Sequence, residues 1–251
     1  MSNADISIAL NNIALQYPLA AAPILEAFSM DITANQWTCL LGRSGSGKTT
    51  LLRYLAGLLD DKINCQGELN ISDGQPLAGR IAYMAQQDLL LPWLSVGNNV
   101  CLSYRLSGES VTPAVLQKAR RLLRQVGLSD QFDALPQTLS GGMRQRVALA
   151  RTLMQDKPLV LMDEPFSALD AVTRHKLQTI AFELLKNKTV VLITHDPQEA
   201  VRLADSLYIL KGNPAKAESI ALPKGPPLRA LSPENAQVQQ QIFKVLEVDY
   251  D

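Results

Sequence analysis

Three short stretches of the chain are almost wholly apolar: Trp37 to Leu41 (WTCLL), Leu159 to Asp163 (LVLMD) and Thr189 to Thr194 (TVVLIT). A strand with one wet face alternates apolar and polar residues, whereas a strand covered on both faces reads as a continuous apolar run. Between and after these runs, Met143 to Met154 and Val172 to Leu185 carry apolar residues at helical spacing. Continuous strands alternating with helices predict an α/β fold whose sheet has a parallel core, with helices on both faces. Ile6 to Gln16 alternates well enough for one or two strands, and Ile32 to Leu41 is expected to run as a further strand into a glycine-rich segment. Gly67 to Ser72 and Arg80 to Ala85 read as short strands separated by the turn formers Asp73, Gly74, Gln75 and Pro76. From Val96 to Gly127 the spacing becomes helical, and Val115, Leu116, Ala119, Leu122, Leu123 and Val126 make one face. Beyond Gly212 the chain is rich in proline and closes with a helix expected over Pro233 to Leu246, an appendage too short to bury a core of its own.

The run at Trp37 to Leu41 leads into GRSGSGKT, Gly42 to Thr49, which fits G-x-x-x-x-G-K-[ST] and is followed by apolar residues at helical spacing. Strand, loop and helix form the context that this motif requires. Gly42, Gly45 and Gly47 let consecutive backbone N–H groups turn inward on a phosphate, and the loop opens onto a helix N-terminus, which favours anions. Arg43, Ser44, Ser46 and Thr50 complete the expected cradle. Lys48 is placed to reach the β- and γ-phosphates of ATP, and the Thr49 hydroxyl to ligate Mg²⁺.

The apolar run 159–163 ends in Asp163 and Glu164, so a strand tip delivers two carboxylates to the phosphate end of the site. Asp163 is expected to hold Mg²⁺ and Glu164 to polarise an attacking water; two acids after a strand also suit a helix N-cap. His195 follows the next apolar strand, where a neutral imidazole could bond the γ-phosphate and the water. A lone histidine is also compatible with a structural role. The other histidine, His175, reads as a solvated helix residue.

Composition narrows the partners. The chain has 251 residues with 24 Lys plus Arg against 24 Asp plus Glu, so no net charge draws it to nucleic acid. Its three cysteines lack any C-x-x-C pair and are expected to be buried thiols in a reducing compartment. The start, MSNADISIAL, lacks signal-peptide features, and no apolar run approaches the roughly 18 residues of a membrane span. Neither a lipidation motif nor a basic amphipathic helix stands out, so contact with a membrane is expected through a partner.

A further motif, LSGGM at Leu139 to Met143, sets a serine and two glycines at a helix start, which exposes backbone N–H groups to an anion. A plain N-cap explains Ser140 but not two glycines at positions they destabilise by about 1 kcal/mol each. GRSGSGKT, Gln86, LSGGM, LMDEP, SALD and His195 occur in the order and spacing of the ATP-binding-cassette ATPases, which the chain resembles over nearly its whole length. The resemblance implies one nucleotide-binding domain over 1–251: a P-loop NTPase core with a mixed sheet, an N-terminal antiparallel β region, a helical subdomain inserted at about 88–156, and 212–251 as a C-terminal appendage. It implies that Gln86 touches Mg²⁺ and the water, and that Ser167, Ala168, Leu169 and Asp170 form the D-loop. Tyr17 would be the aromatic that stacks on adenine, although a strand-end core aromatic explains it equally. It also implies a head-to-tail dimer in which Ser140, Gly141 and Gly142 of one copy cap the ATP held by Lys48 of the other.

Within that family, Leu89 to Leu94 (LLLPWL) after Gln86, and Arg144 to Arg146 (RQR) after the signature, resemble the importers for nitrate, aliphatic sulfonates, taurine and thiamine-precursor pyrimidines. The implied partners are two membrane permease subunits docking at the Leu-Pro-Trp patch and, indirectly, a periplasmic solute-binding protein, with the chain peripheral on the cytoplasmic face of a bacterial inner membrane. Trp93 could instead pack within the insertion. Ala85 and Gln87 flank Gln86 where relatives usually carry an aromatic and an acid, and Met143 replaces the commoner glutamine. Rival readings are a cassette ATPase acting on DNA or the ribosome, an exporter, and an interaction subunit with a degenerate site; the first lacks coiled coils, zinc modules or basic arms here, and Lys48 with Glu164 argues against the last.

Overall fold

The computed structural model describes residues 5–60 and 62–248. The first four residues of MSNADISIAL and the last three of the tail lie outside them. Nine strands and eight α-helices are described. β1 (Ile8–Gln16), β2 (Leu25–Ile32) and β4 (Asn64–Ile71) form an antiparallel sheet in the order β2-β1-β4. A second sheet has the order β5-β6-β7-β3-β8-β9, built from β5 (Ile81–Met84), β6 (Leu159–Asp163), β7 (Thr189–Ile193), β3 (Trp37–Gly42), β8 (Ser206–Lys211) and β9 (Lys216–Ile220). Its first five strands run parallel and β9 closes it antiparallel.

The continuous apolar runs occupy the centre of this sheet because both faces are covered. Leu159 and Leu161 of β6, Val191 and Ile193 of β7 and Leu40 of β3 face one core, shared with the antiparallel sheet and with Leu51, Leu52 and Leu55 of α1 (Lys48–Leu55). The alternate residues Val160, Met162, Val190, Leu192, Cys39 and Leu41 face a second core beneath the remaining helices. These comprise α2 (Val96–Val100), α3 (Leu102–Leu106), α4 (Pro113–Gln125), α5 (Gly141–Met154), α6 (Ala171–Leu184), α7 (Pro197–Leu203) and α8 (Pro233–Val248).

Four expectations need correction. The stretch Ile32 to Leu41 is not one strand: the chain reverses at Ala34 and Asn35, where Asn35 adopts φ 57° and its N–H donates to Thr189 Oγ1, so β2 joins one sheet and β3 the other. The segment after Gly212 is not wholly an appendage, since β9 is an edge strand of the main sheet. A basic amphipathic helix does exist: α4 carries Lys118, Arg120, Arg121 and Arg124, but Ala119, Leu122 and Leu123 bury its apolar face in the protein rather than offering it to a membrane. Cys39 and Cys101 are buried thiols, whereas Cys65 is exposed.

Candidate nucleotide site

Four neighbouring parallel strands, β5, β6, β7 and β3, end at one edge of the sheet, and the chemically interesting residues leave from those ends. Such carboxyl edges are where open α/β sheets place ligands. Gln86 lies two residues past β5, Asp163 and Glu164 at the tip of β6, His195 two residues past β7, and the glycine-rich loop directly after β3.

The loop has the backbone that its glycines predict, with φ of 84° at Gly45 and 91° at Gly47, values that side chains disfavour. Gly47 has a second constraint: a Cβ there would stand 2.5 Å from Ile24 Cγ2. Lys48 folds back over the loop and donates from Nζ to Gly42 O at 2.7 Å and Arg43 O at 2.6 Å. Burial pushes its pKa below the usual lysine value, while Glu164 and Asp163 oppose that shift. Its Nζ also donates to Ser46 Oγ at 3.4 Å, so every partner of the ammonium is a neutral oxygen that phosphate can replace.

Thr49 Oγ1 donates to Asp163 Oδ2 at 2.7 Å. Asp163 is buried, and burial raises its carboxyl above the usual range against the lowering effect of that hydrogen bond. A hydroxyl paired with a carboxylate is the hard oxygen set that suits Mg²⁺. Glu164 sits beside them with φ 49°, a left-handed conformation costing a non-glycine residue about 1–2 kcal/mol. Three bonds fix it there: its N–H donates to Ile193 O at 2.9 Å, and Ser167 donates to its carbonyl from Oγ at 3.0 Å and from N–H at 3.3 Å. Its Oε2 accepts from Gln86 Nε2 at 3.1 Å and stands 3.1 Å from His195 Nδ1. The tips of three strands thus converge on one carboxylate oxygen.

The signature lies on another element. Ser140 caps α5, accepting from Met143 N–H at 3.3 Å, and Ser140 and Gly141 are exposed. A Cβ on Gly142 would press on Ala168 O at 3.2 Å, so the second signature glycine keeps the helix close to the D-loop. Asp170 caps α6 through Thr173 N–H, an exposed carboxyl held below its usual pKa by that bond. The structure therefore gathers Gln86, Glu164 and His195, and joins Thr49 to Asp163, while Ser140 and Asp170 bond within their own helix starts. His175 is exposed on α6, as expected.

Beside the loop lies a cavity of about 290 Å³ lined by Ile24, Arg43, Ser44, Gly45, Ser46, Gly212 and Asn213. Tyr17 is half-buried in the turn after β1 and is not among the lining residues. Ile24, Gly212 and Asn213 escaped the sequence reading: Gly212 and Asn213 form the β8–β9 turn, and only the strand order, with β8 beside β3, reveals that they border the cradle.

The sequence profile of the ABC transporter family matches residues 25–167. The chain belongs to that family. It is the ATP-hydrolysing subunit of such a transporter, and the likeness to relatives extends beyond the matched segment. An ABC transporter ATP-binding protein of Haemophilus influenzae is 42% identical over 246 residues, 96% of each chain. An aliphatic sulfonates import ATP-binding protein of Paracoccus denitrificans is 39% identical, with 90% of this chain and 89% of that one covered. A dimeric ATP-binding cassette solved in a post-hydrolysis state with ADP and Pi superposes with a TM-score of 0.74 at 28% identity, covering 89% of this ABC ATPase and all of that chain.

Proposed function

We propose that the ATPase works as a homodimer on a membrane permease and powers import of a small organic anion of the aliphatic sulfonate class. The observation that carries the chemistry is the convergence of Gln86 and His195 on Glu164 Oε2, both at 3.1 Å. A carboxylate at a strand tip, bonded by two groups that can also bond water, is a water-polarising base. In this reading Glu164 takes a proton from the attacking water as it adds to the γ-phosphorus, and the bond to the β-phosphate oxygen breaks to leave ADP and Pi. Gln86 and His195 position the water and the γ-phosphate, and Lys48 leaves its loop carbonyls to offset charge between the β- and γ-phosphates. The backbone N–H groups from Gly42 to Thr50 hold the phosphates. Thr49 and Asp163, with Gln86, would hold Mg²⁺, which when bound neutralises phosphate charge. Ile24 and the Gly212–Asn213 turn border the space beside the loop, with Tyr17 nearby in sequence as the stacking candidate for adenine.

The second copy supplies what the first lacks. Exposed Ser140 and Gly141, with half-buried Gly142, present a helix start suited to cap a phosphate held by a partner copy, with exposed Asp170 proposed to line the same seam. Leu89 and Trp93 are exposed, at 58% and 72%, in the loop that begins at Gln86. Exposed large apolar groups beside a catalytic loop suit docking of a permease segment. No described helix is long and apolar enough to cross a membrane, so association with the cytoplasmic face of an inner membrane would be peripheral, through that permease. The cargo class follows from relatives named for aliphatic sulfonate import in Paracoccus denitrificans and Delftia acidovorans.

Glu164→Gln tests the chemistry. It should bind ATP as tightly as the parent, lower the hydrolysis rate at least 100-fold and accumulate an ATP-bound dimer in size-exclusion chromatography. Hydrolysis at the parental rate would overturn the assignment. Cargo is read by purifying the permease complex with its solute receptor and titrating that receptor with sulfonates, nitrate, taurine and pyrimidines; no response to sulfonates would refute that class.

A further inference from the structure

The edge of the main sheet opposite the nucleotide site carries a cluster of cations that the proposed chemistry does not use. A cavity of about 140 Å³ lies there, at the amino ends of β6 and β7, where α4 meets the last turns of α5 and α6. Leu122 of α4, Leu153 of α5, Val160 of β6 and Leu185 at the end of α6 line it with buried apolar side chains. Three lysines from three segments line it too: Lys118 on α4, Lys157 between α5 and β6, and Lys188 between α6 and β7.

Among the lining residues only Asp156 offers them a carboxylate. Lys188 Nζ stands 2.8 Å from Asp156 Oδ1, and Lys118 Nζ stands 3.8 Å from Oδ2 while donating to Met154 O at 3.4 Å. Lys157 has no hydrogen bond or ion pair with any described residue. A lysine near a helix C-terminus is favoured by the last carbonyls and the dipole, which accounts for Lys118 on Met154 O. It does not account for the other two. Lys188 is only 8% exposed, and among the described residues the one other lysine so buried is Lys48 of the cradle. Enclosing an ammonium is unfavourable unless an anion offsets it, and the Asp156 side chain, 63% exposed and shared between two cations, offsets little. Three ammonium groups against one carboxylate leave the cavity with an excess of positive charge.

We infer that this cavity is a binding site for a short alkanesulfonate, whose oxygens meet Lys118, Lys157 and Lys188 and whose aliphatic tail lies on Leu122, Leu153 and Val160. A sulfonate presents acceptors in three directions, which suits cations arriving from three segments, whereas a planar carboxylate has two oxygens to offer. The size agrees, since a cavity of about 150 Å³ takes up benzene, a molecule of similar bulk to propanesulfonate. Inorganic sulfate would leave the apolar wall uncovered, and an uncharged alcohol would leave the lysines without an anion. The ligand class coincides with the cargo proposed above, but the site is read from this chain's own residues and does not rest on that reading.

Calorimetric titration of the full chain with propane-1-sulfonate tests this. The parent should bind one equivalent with a Kd of about 1 mM or tighter, at least tenfold tighter than sulfate, butanoate or propan-1-ol. Lys157→Glu, which breaks no bond within the chain, should weaken that binding at least tenfold and leave the affinity for ATP within about twofold. Lys188→Met, which keeps the apolar stem, serves as the second variant should Lys157→Glu misfold, and should show the same loss. Because the cradle also attracts anions, the titration is repeated on Lys48→Ala and on the parent saturated with a nonhydrolysable ATP analogue, where the Kd should stay within about twofold. No binding by the parent, displacement by the analogue, loss of binding in Lys48→Ala, or a Kd unchanged in the Lys157 and Lys188 variants would each overturn the inference. The cargo reading is judged on the solute receptor, so a receptor that binds sulfonates beside a chain that does not would sink this site alone.

Discussion

Asp163 stands where two demands on a residue conflict. It is 2% exposed and beside the acidic Glu164, and burial raises its carboxyl despite the Thr49 hydrogen bond, with the attraction of Lys48 a smaller effect. For a carboxyl whose pKa is raised on folding, the folded chain binds the proton more tightly than the unfolded one. Its contribution to stability is then best below the unfolded pKa near 4 and declines as pH rises to the folded value. At neutral pH the ionised side chain is a net burden that the site carries for its chemistry. Asp163→Asn keeps an acceptor for Thr49 Oγ1 and removes the buried charge. It should raise the nucleotide-free Tm at pH 7 by a few degrees, about 1 kcal/mol, flatten the fall in stability above pH 4, and abolish hydrolysis. Calorimetry across that range decides: a lower Tm would mean that the carboxylate's bond to Thr49 outweighs the cost of burying it.

At the scale of elements, the helical insertion is packed within itself by a contact that leaves no room for a methyl group. Gly97 in α2 donates its N–H to Phe132 O at 2.8 Å, and a Cβ at Gly97 would stand 2.4 Å from the Phe132 ring, over which Arg120 of α4 stacks at 3.7 Å. Gly97→Ala should therefore cost about 1–3 kcal/mol of stability in chemical denaturation, and adding Phe132→Leu should return part of it by vacating the space. A neutral Gly97→Ala would show that the ring moves aside freely. This packing was not legible in the sequence, whereas much else was. The strand limits at 159–163 and 189–193 agree with the apolar runs within a residue because strands covered on both faces admit little else. The turn that splits Ile32 to Leu41 is hard to read because it holds neither glycine nor proline, and Thr33, Asn35 and Gln36 pass as the polar positions of a strand. Lys48, Asp163, Glu164 and His195 are readable because each ends a strand or lies shortly after one, while Ile24, Asn213 and the Asp88–Arg144 ion pair depend on contacts between segments distant in sequence.

The whole molecule is built so that its two ATP-related motifs point to different duties. The cradle is complete to the level of Lys48 and Thr49, but Ser140 bonds only into its own helix start and Gly142 packs on the D-loop. If each ATP lies between the cradle of one copy and the signature of the other, then Ser140→Arg and Lys48→Met damage different halves of the same composite site. Each variant alone gives dimers with both sites broken. A mixed dimer, however, has one site made from the intact cradle of the Ser140→Arg chain and the intact signature of the Lys48→Met chain, and one site doubly damaged. Random 1:1 mixing makes about half the dimers mixed, each with one of two sites intact, so the mixture should reach up to about a quarter of the parental rate while neither variant alone hydrolyses ATP measurably. Subunit exchange followed by a phosphate-release assay reads this directly, with Ser140→Arg plus Glu164→Gln in one chain, mixed with Lys48→Met, as the inactive control. A mixture as dead as its parts would place the complete site within a single copy, and the head-to-tail arrangement would have to be abandoned.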